Sequence, residues 1–148
     1  MAGPRISIAN LQELVPIDRG RMKEIVRAVL REEGVSEAEI TLAFVDNPTI
    51  RQLNKRYLDH DEPTDVLSFP MSRPGSKQLI GELVIGAEVA QAEAASRGHD
   101  VQAELALYVI HGLLHLCGYG DKSPAEAQEM RERERHYLSL VGLPDIAP

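Results

Sequence analysis

The stretch that most restricts how this chain can fold runs from Leu105 to Asp121. Leu105–Ile110 are apolar without a break, and Leu113, Leu114, Leu116 and Cys117 continue that surface, so the segment reads as a helix buried nearly all round. Two residues interrupt it. His111 and His115 stand four apart, which on a helix sets them on one face a single turn from each other. A buried apolar helix has few reasons to carry two polar rings on one face unless something pairs with them. Gly118 can take the left-handed conformation that stops a helix, and the chain can then fold back and bring Asp121 towards the imidazoles. Two histidines at this spacing, a glycine break and a further donor yield three ligands from one short segment. They leave a coordination position open, which is a catalytic metal site in outline.

The rest of the chain supplies a frame for that helix. Arg5–Ala9 alternates like a half-buried strand. From Asp18 to Glu33, Met22, Ile25, Val26, Val29 and Leu30 recur at helical spacing, and Gly34 follows as a stop. Arg19, Lys23, Arg27 and Arg31 form a row on that helix, either a solvated face beside Glu24 and Glu32 or a phosphate-contacting stripe. Ile40–Val45 is a second strand, with Asn47-Pro48 starting a helix as N-cap and first turn. Thr64–Phe69 is a third strand closed by Pro70, Arg73–Ser76 a turn, and Leu79–Ile85 a fourth strand. Gly81 within that strand marks a bulge or a close approach to the backbone. Helices follow over Ala87–Arg97, after an Asp100 cap, and from a Ser123/Glu126 capping box to about Leu140. The order β-α-β-α-β-β-α-α-α predicts an α+β fold. Residues 1–148 would form a single domain, a small mixed four-stranded sheet packed with about five helices around the His-bearing one.

Composition narrows the setting. The chain opens on MAGPRISIAN, which has no signal-like apolar core. The longest uncharged run, Leu105–Gly120, falls short of the roughly 20 apolar residues of a membrane crossing. A cytoplasmic protein with no membrane contact is expected. The one cysteine, Cys117, permits no internal disulfide and reads as a buried thiol. A net charge of −7 argues against nucleic-acid binding by bulk electrostatics. The charge is uneven, however. Residues 1–60 carry nine basic and nine acidic side chains, and residues 61–148 seven and fourteen, so a polyanion should meet the first part of the chain.

Imidazole and carboxylate donors suit Zn²⁺, which lowers the pKa of a bound water and polarises a phosphoryl or carbonyl oxygen. An aspartate puts a negative charge on the site where a third histidine would put none. A weaker Lewis acid and a less acidic water are therefore expected. Zinc proteases of this spacing place a glutamate base directly after the first histidine. Here that position is Gly112, so peptide hydrolysis is disfavoured.

With those residues in view, the chain resembles the YbeY family of bacterial rRNA-maturation endoribonucleases. His111–Tyr119 matches the family's His-Gly-x-Leu-His-Leu-x-Gly-Tyr signature. Asn54, Tyr57 and Pro63–Pro70 match its Asn-aromatic and Pro-Thr-Asp-Val-Leu-Ser-Phe-Pro segments, and Ile80-Gly81-Glu82-Leu83 stands for its Leu-Gly-Asp-Ile. The resemblance spans residues 40 to 140 or so. It implies a zinc-dependent endonuclease on single-stranded RNA, acting in 16S rRNA 3′-end maturation and ribosome quality control, with the ribosome or small-subunit proteins as partners. By the resemblance His111 and His115 are ligands, Asp121 replaces the usual third histidine, and Gly120 replaces a frequent Asp. Leu58 stands where many members carry a cleft arginine, which leaves Arg56, Arg51 or Arg73 to meet the phosphate. Asp65, Ser68 and Glu82 are polar residues in strand-like segments. For Ser68, edge-strand solvation or a turn hydrogen bond is expected, while Asp65 and Arg56 join the catalytic candidates. The rival reading is a non-catalytic, zinc-stabilised ribosome-assembly factor.

Overall fold

Alternation along β2 (Ala38–Val45) sorts its side chains to two faces: Ile40, Leu42 and Phe44 enter the main core, while Ala43 and Val45 point to a smaller one. The computed structural model describes residues 3–73 and 75–148; Met1, Ala2 and Pro74, the last within the predicted Arg73–Ser76 turn, lie outside them. β1 (Arg5–Asn10), β2, β3 (Val66–Pro70) and β4 (Leu79–Gly86) form one sheet in the order β1-β2-β4-β3. β1 and β4 run parallel to β2, and only the edge strand β3 is antiparallel. The fold is thus α+β, with a mixed four-stranded sheet and five helices among the described residues.

One face of the sheet is covered by α2 (Asn47–Leu58) through Ile50. The other takes α4 (Val101–Leu116), which lies over β3 and β4 and is walled in by α1 (Arg19–Glu32), α3 (Ala87–Arg97) and α5 (Pro124–Leu140). All its residues from Ala103 to Ile110 are buried, as are Gly112, Leu113 and Leu114. The central helix is therefore the hub of the main core, as its apolar run predicts.

Two glycines let α4 settle so close to the sheet. A Cβ on Gly112 would meet Leu83 Cδ2 at 2.9 Å and Val66 Cγ2 at 3.1 Å. One on Gly81 of β4 would meet Leu116 Cδ1 at 2.8 Å. Of the two meanings offered for Gly81, close approach holds: its pairing with Ile40 and Pro70 continues the ladder without a bulge.

Several details differ from the sequence-based expectation. The N-cap of α2 is Asp46, not Asn47: its carboxylate accepts from Thr49 N–H at 3.0 Å, while Asn47 is already helical and gives its N–H to Glu88. Strand β3 starts at Val66 and includes Pro70. Asp65 precedes it, its Oδ1 accepting the Val66 N–H at 2.7 Å. Ser68 is not spent on solvent, for its hydroxyl donates to the Gly112 carbonyl at 3.2 Å and ties the edge strand to α4. Only half of the capping box forms. Ser123 caps Glu126 N–H at 3.1 Å, but the Glu126 carboxylate turns towards Gly120, against the place a Cβ there would occupy. Cys117 is half-buried, and burial pushes its thiol up to about 11.

Candidate metal centre

α4 ends at Leu116 because Gly118, at φ 105°, turns the chain back; its N–H bonds to the His115 carbonyl at 3.0 Å and Tyr119 N–H to Leu114 at 3.0 Å. This turn delivers Asp121 to the two histidines. The rings of His111 and His115 meet edge to face, their centroids 4.6 Å apart. Their Nε2 atoms lie 3.0 Å from each other, and Asp121 Oδ2 lies 3.6 Å from the first and 3.3 Å from the second. The three residues picked out by spacing are brought to one point.

What faces away from that point decides what it can hold. His111 Nδ1 is 2.7 Å from Oε2 of Glu134, a carboxylate buried on α5, and His115 Nδ1 is 2.9 Å from the Tyr119 carbonyl. Each acceptor draws the ring proton to Nδ1 and leaves a lone pair on Nε2. Two lone pairs and a carboxylate converging within 3.6 Å repel one another unless a cation lies among them. Burial disfavours a charged His111, but Glu134, and then Asp65 and Asp121, outweigh it and raise its pKa above 6.5. The local field attracts positive charge. His111, His115 and Asp121 fit a metal ion in donor type and arrangement, and they are the one such cluster among the described residues.

His111 and Asp121 open into a cleft of about 540 Å³ whose lining also includes Asp65, Glu104, Tyr108, Arg131 and Glu134. Glu104, Tyr108 and His111 lie along one face of α4. Asp65 has one oxygen engaged by Val66 N–H and the Thr64 hydroxyl, at 2.7 and 3.2 Å. Arg56 is not in this lining; it is exposed on α2, its guanidinium 5.5 Å from the Tyr57 ring centre. Arg51 and Lys55 both turn to Asp61, at 2.8 and 3.9 Å, and Arg73 also lies outside the lining. Two arginines that were not among the site candidates do line it. Arg97 is occupied by Glu104 and the Ile146 carbonyl, whereas Arg131 makes no ion pair among the described residues.

Glu134 is the residue the sequence hid. It stands one turn from Met130 and Leu138, so a carboxylate breaks the buried row of α5. That break was the available signal, obscured by the Arg/Glu-rich residues on either side.

Fold and site together define a small α+β protein whose central helix presents a histidine pair and a returning aspartate to an open cleft. The profile of the family described as endoribonuclease YbeY matches residues 7–142. An endoribonuclease YbeY of Carboxydothermus hydrogenoformans is 40% identical over 139 residues, covering 92% of this chain and 96% of that protein. One from Sulfurovum is 42% identical over 117 residues, covering 76% and 78%. The solution structure of a Thermotoga maritima protein superposes with a TM-score of 0.64 at 27% identity, over 90% of this chain and 88% of the other. The chain belongs to the YbeY endoribonuclease family.

Proposed function

We propose that residues 1–148 act as one metal-dependent endoribonuclease domain that cuts single-stranded RNA, with His111, His115 and Asp121 holding a Zn²⁺ ion. The observation that carries this reading is the convergence of two Nε2 atoms and a carboxylate, 3.0–3.6 Å apart, at the edge of an open cleft in a chain whose relatives are named endoribonucleases. When bound, the metal supplies Lewis acidity to a phosphoryl oxygen and lowers the pKa of a water. The chain's own groups do the rest. Glu134 and the Tyr119 carbonyl hold both rings in the Nδ1–H form. Asp65 keeps one oxygen for the proton of the attacking hydroxyl, from water or from the ribose 2′ position. Arg131, which makes no ion pair among the described residues, lines the cleft and meets the scissile phosphate in place of the arginine that Leu58 displaces. Arg56, outside the lining, remains an outer candidate for the same strand. Aromatic residues are only 4% of the chain, so little base preference is expected.

The biological substrate is taken to be the 16S rRNA 3′ end in the cytoplasm, during maturation and ribosome quality control, with small-subunit proteins nearby. No helix among the described residues is long and apolar enough to cross a membrane, which suits that setting. The peptidase alternative is further disfavoured at Gly112, where any side chain would press on Leu83 Cδ2 at 2.9 Å and Val66 Cγ2 at 3.1 Å.

The test is internal cleavage of an end-blocked single-stranded RNA by wild type, by His115→Ala and by Arg131→Ala, with and without chelator. Chelator and His115→Ala should abolish cutting, and Arg131→Ala should slow it by about 100-fold. A folded His115→Ala that cuts like wild type would leave only the assembly-factor reading.

A further inference from the structure

Away from the cleft, α1 carries a line of cations. Arg19, Lys23, Arg27 and Arg31 follow at four-residue steps, so they share one helical face over about 18 Å. Met22, Ile25, Val26, Val29 and Leu30 bury the adjacent face, which leaves Arg19, Arg27 and Arg31 exposed and Lys23 half-buried along its margin. The four carboxylates of the helix and its two caps turn elsewhere, Asp18 accepting the Arg21 N–H at 3.1 Å. Glu24 lies 3.6 Å from Arg21, Glu32 lies 3.3 Å from His136, and Glu33 lies 2.7 Å from Arg133. Among the described residues the row makes no ion pair, and its one fixed polar contact is Arg19 Nη1 donating to the Ile8 carbonyl at 3.0 Å. A solvated helix face normally alternates sign at this spacing, and like charges placed so destabilise the helix. This row does the reverse, in a chain of net charge −7.

We propose that the α1 row is a second RNA contact, a backbone-binding exosite separate from the cleft. The inference rests on the reading of the chain as a single-strand endoribonuclease. An evenly spaced line of cations with no apolar residue among them suits a phosphate backbone, whereas a protein partner would want an apolar anchor at the centre. The cleft also creates a need for it. Asp65, Glu93, Glu104, Asp121 and Glu134 line that cavity against two arginines, one of them already paired, so it repels a polyanion that nothing else holds. The row supplies affinity and the cleft supplies chemistry.

The experiment compares wild type with the combined Arg19→Gln, Lys23→Gln, Arg27→Gln and Arg31→Gln variant. Binding is read by fluorescence anisotropy in chelator, across about 50–200 mM salt, on unstructured RNAs of about 30 and about 5 nucleotides. The variant should bind the long RNA at least tenfold more weakly at low salt. Its slope of log K against log salt should be shallower by about 3, near 0.7 for each lost phosphate contact. Cleavage of the short RNA with metal present should be unchanged. An Arg19→Lys, Arg27→Lys, Arg31→Lys variant keeps the charge and should bind like wild type. Equal affinity and slope for the fourfold variant, equal losses on both RNAs, or weak binding by the lysine variant would each overturn the exosite. Wild type that neither binds nor cuts either RNA would remove the nuclease reading and the exosite with it.

Discussion

His111 depends on a residue 23 positions further along the chain. Glu134 Oε2 sits 2.7 Å from its Nδ1, and partners of this kind orient the ring and raise its basicity towards a metal. Glu134→Gln keeps the shape and removes the charge. It should weaken metal binding by about tenfold or more in a chelator competition, with the fold intact by circular dichroism. Unchanged affinity would mean that His111 is oriented without it. The same residue shows where a sequence stops informing. His111, His115 and Asp121 were legible because one turn of helix and one glycine fix their relation within eleven residues. Glu134 and Arg131 were not, because their approach depends on how α5 crosses α4, and their local setting of alternating charges looks like a solvated face. Arg56 could be read only as a nearby cation, and the lie of α2 points it at Tyr57.

At the scale of elements, the histidine helix is held against the sheet, and two of the helices around it are fastened to each other. Gly112→Ala would gain up to about 1 kcal/mol in helix propensity, but it drives a methyl into Leu83, which is fully buried, and into Val66. Overpacking of this kind costs about 1–3 kcal/mol, so a net loss is expected in urea unfolding, together with weaker metal binding as His111 shifts. A second fastening joins the C-terminal cap of α1 to α5. Glu33 accepts from Arg133 Nη2 at 2.7 Å and from the Tyr137 hydroxyl. Burial alone would raise the Glu33 pKa, but the bonds from Tyr137, Arg133 and Tyr119 and the Arg133 charge bring it below 4.5. A depressed carboxylate contributes its stability above its unfolded value and loses it as pH falls through the folded one. Wild type should therefore lose stability below pH 4.5, while Glu33→Gln is weaker at neutral pH and flatter on the acid side. Parallel slopes would exclude this fastening. The periodic elements were readable with small boundary shifts, whereas the Asp46 cap and the Ser68 bond to α4 needed three-dimensional partners to appear.

Over the whole molecule, charge and fold divide the work. The sheet and three helices bury most of α4, and its two half-buried histidines meet Asp121 beside an acidic cleft. Net charge of −7 argues against bulk attraction for nucleic acid, yet among the described residues Arg131 in the cleft and the α1 row outside it make no ion pair. The claim on which the whole account stands is that His111, His115 and Asp121 hold one ion between them. Elemental analysis of purified wild type, His111→Ala and Asp121→Ala tests it most directly. The account predicts about one ion per chain in the wild type and loss of stoichiometric metal in both variants, each still folded. Full metal in His111→Ala would contradict it, and full metal in Asp121→Ala would take the aspartate out of the site.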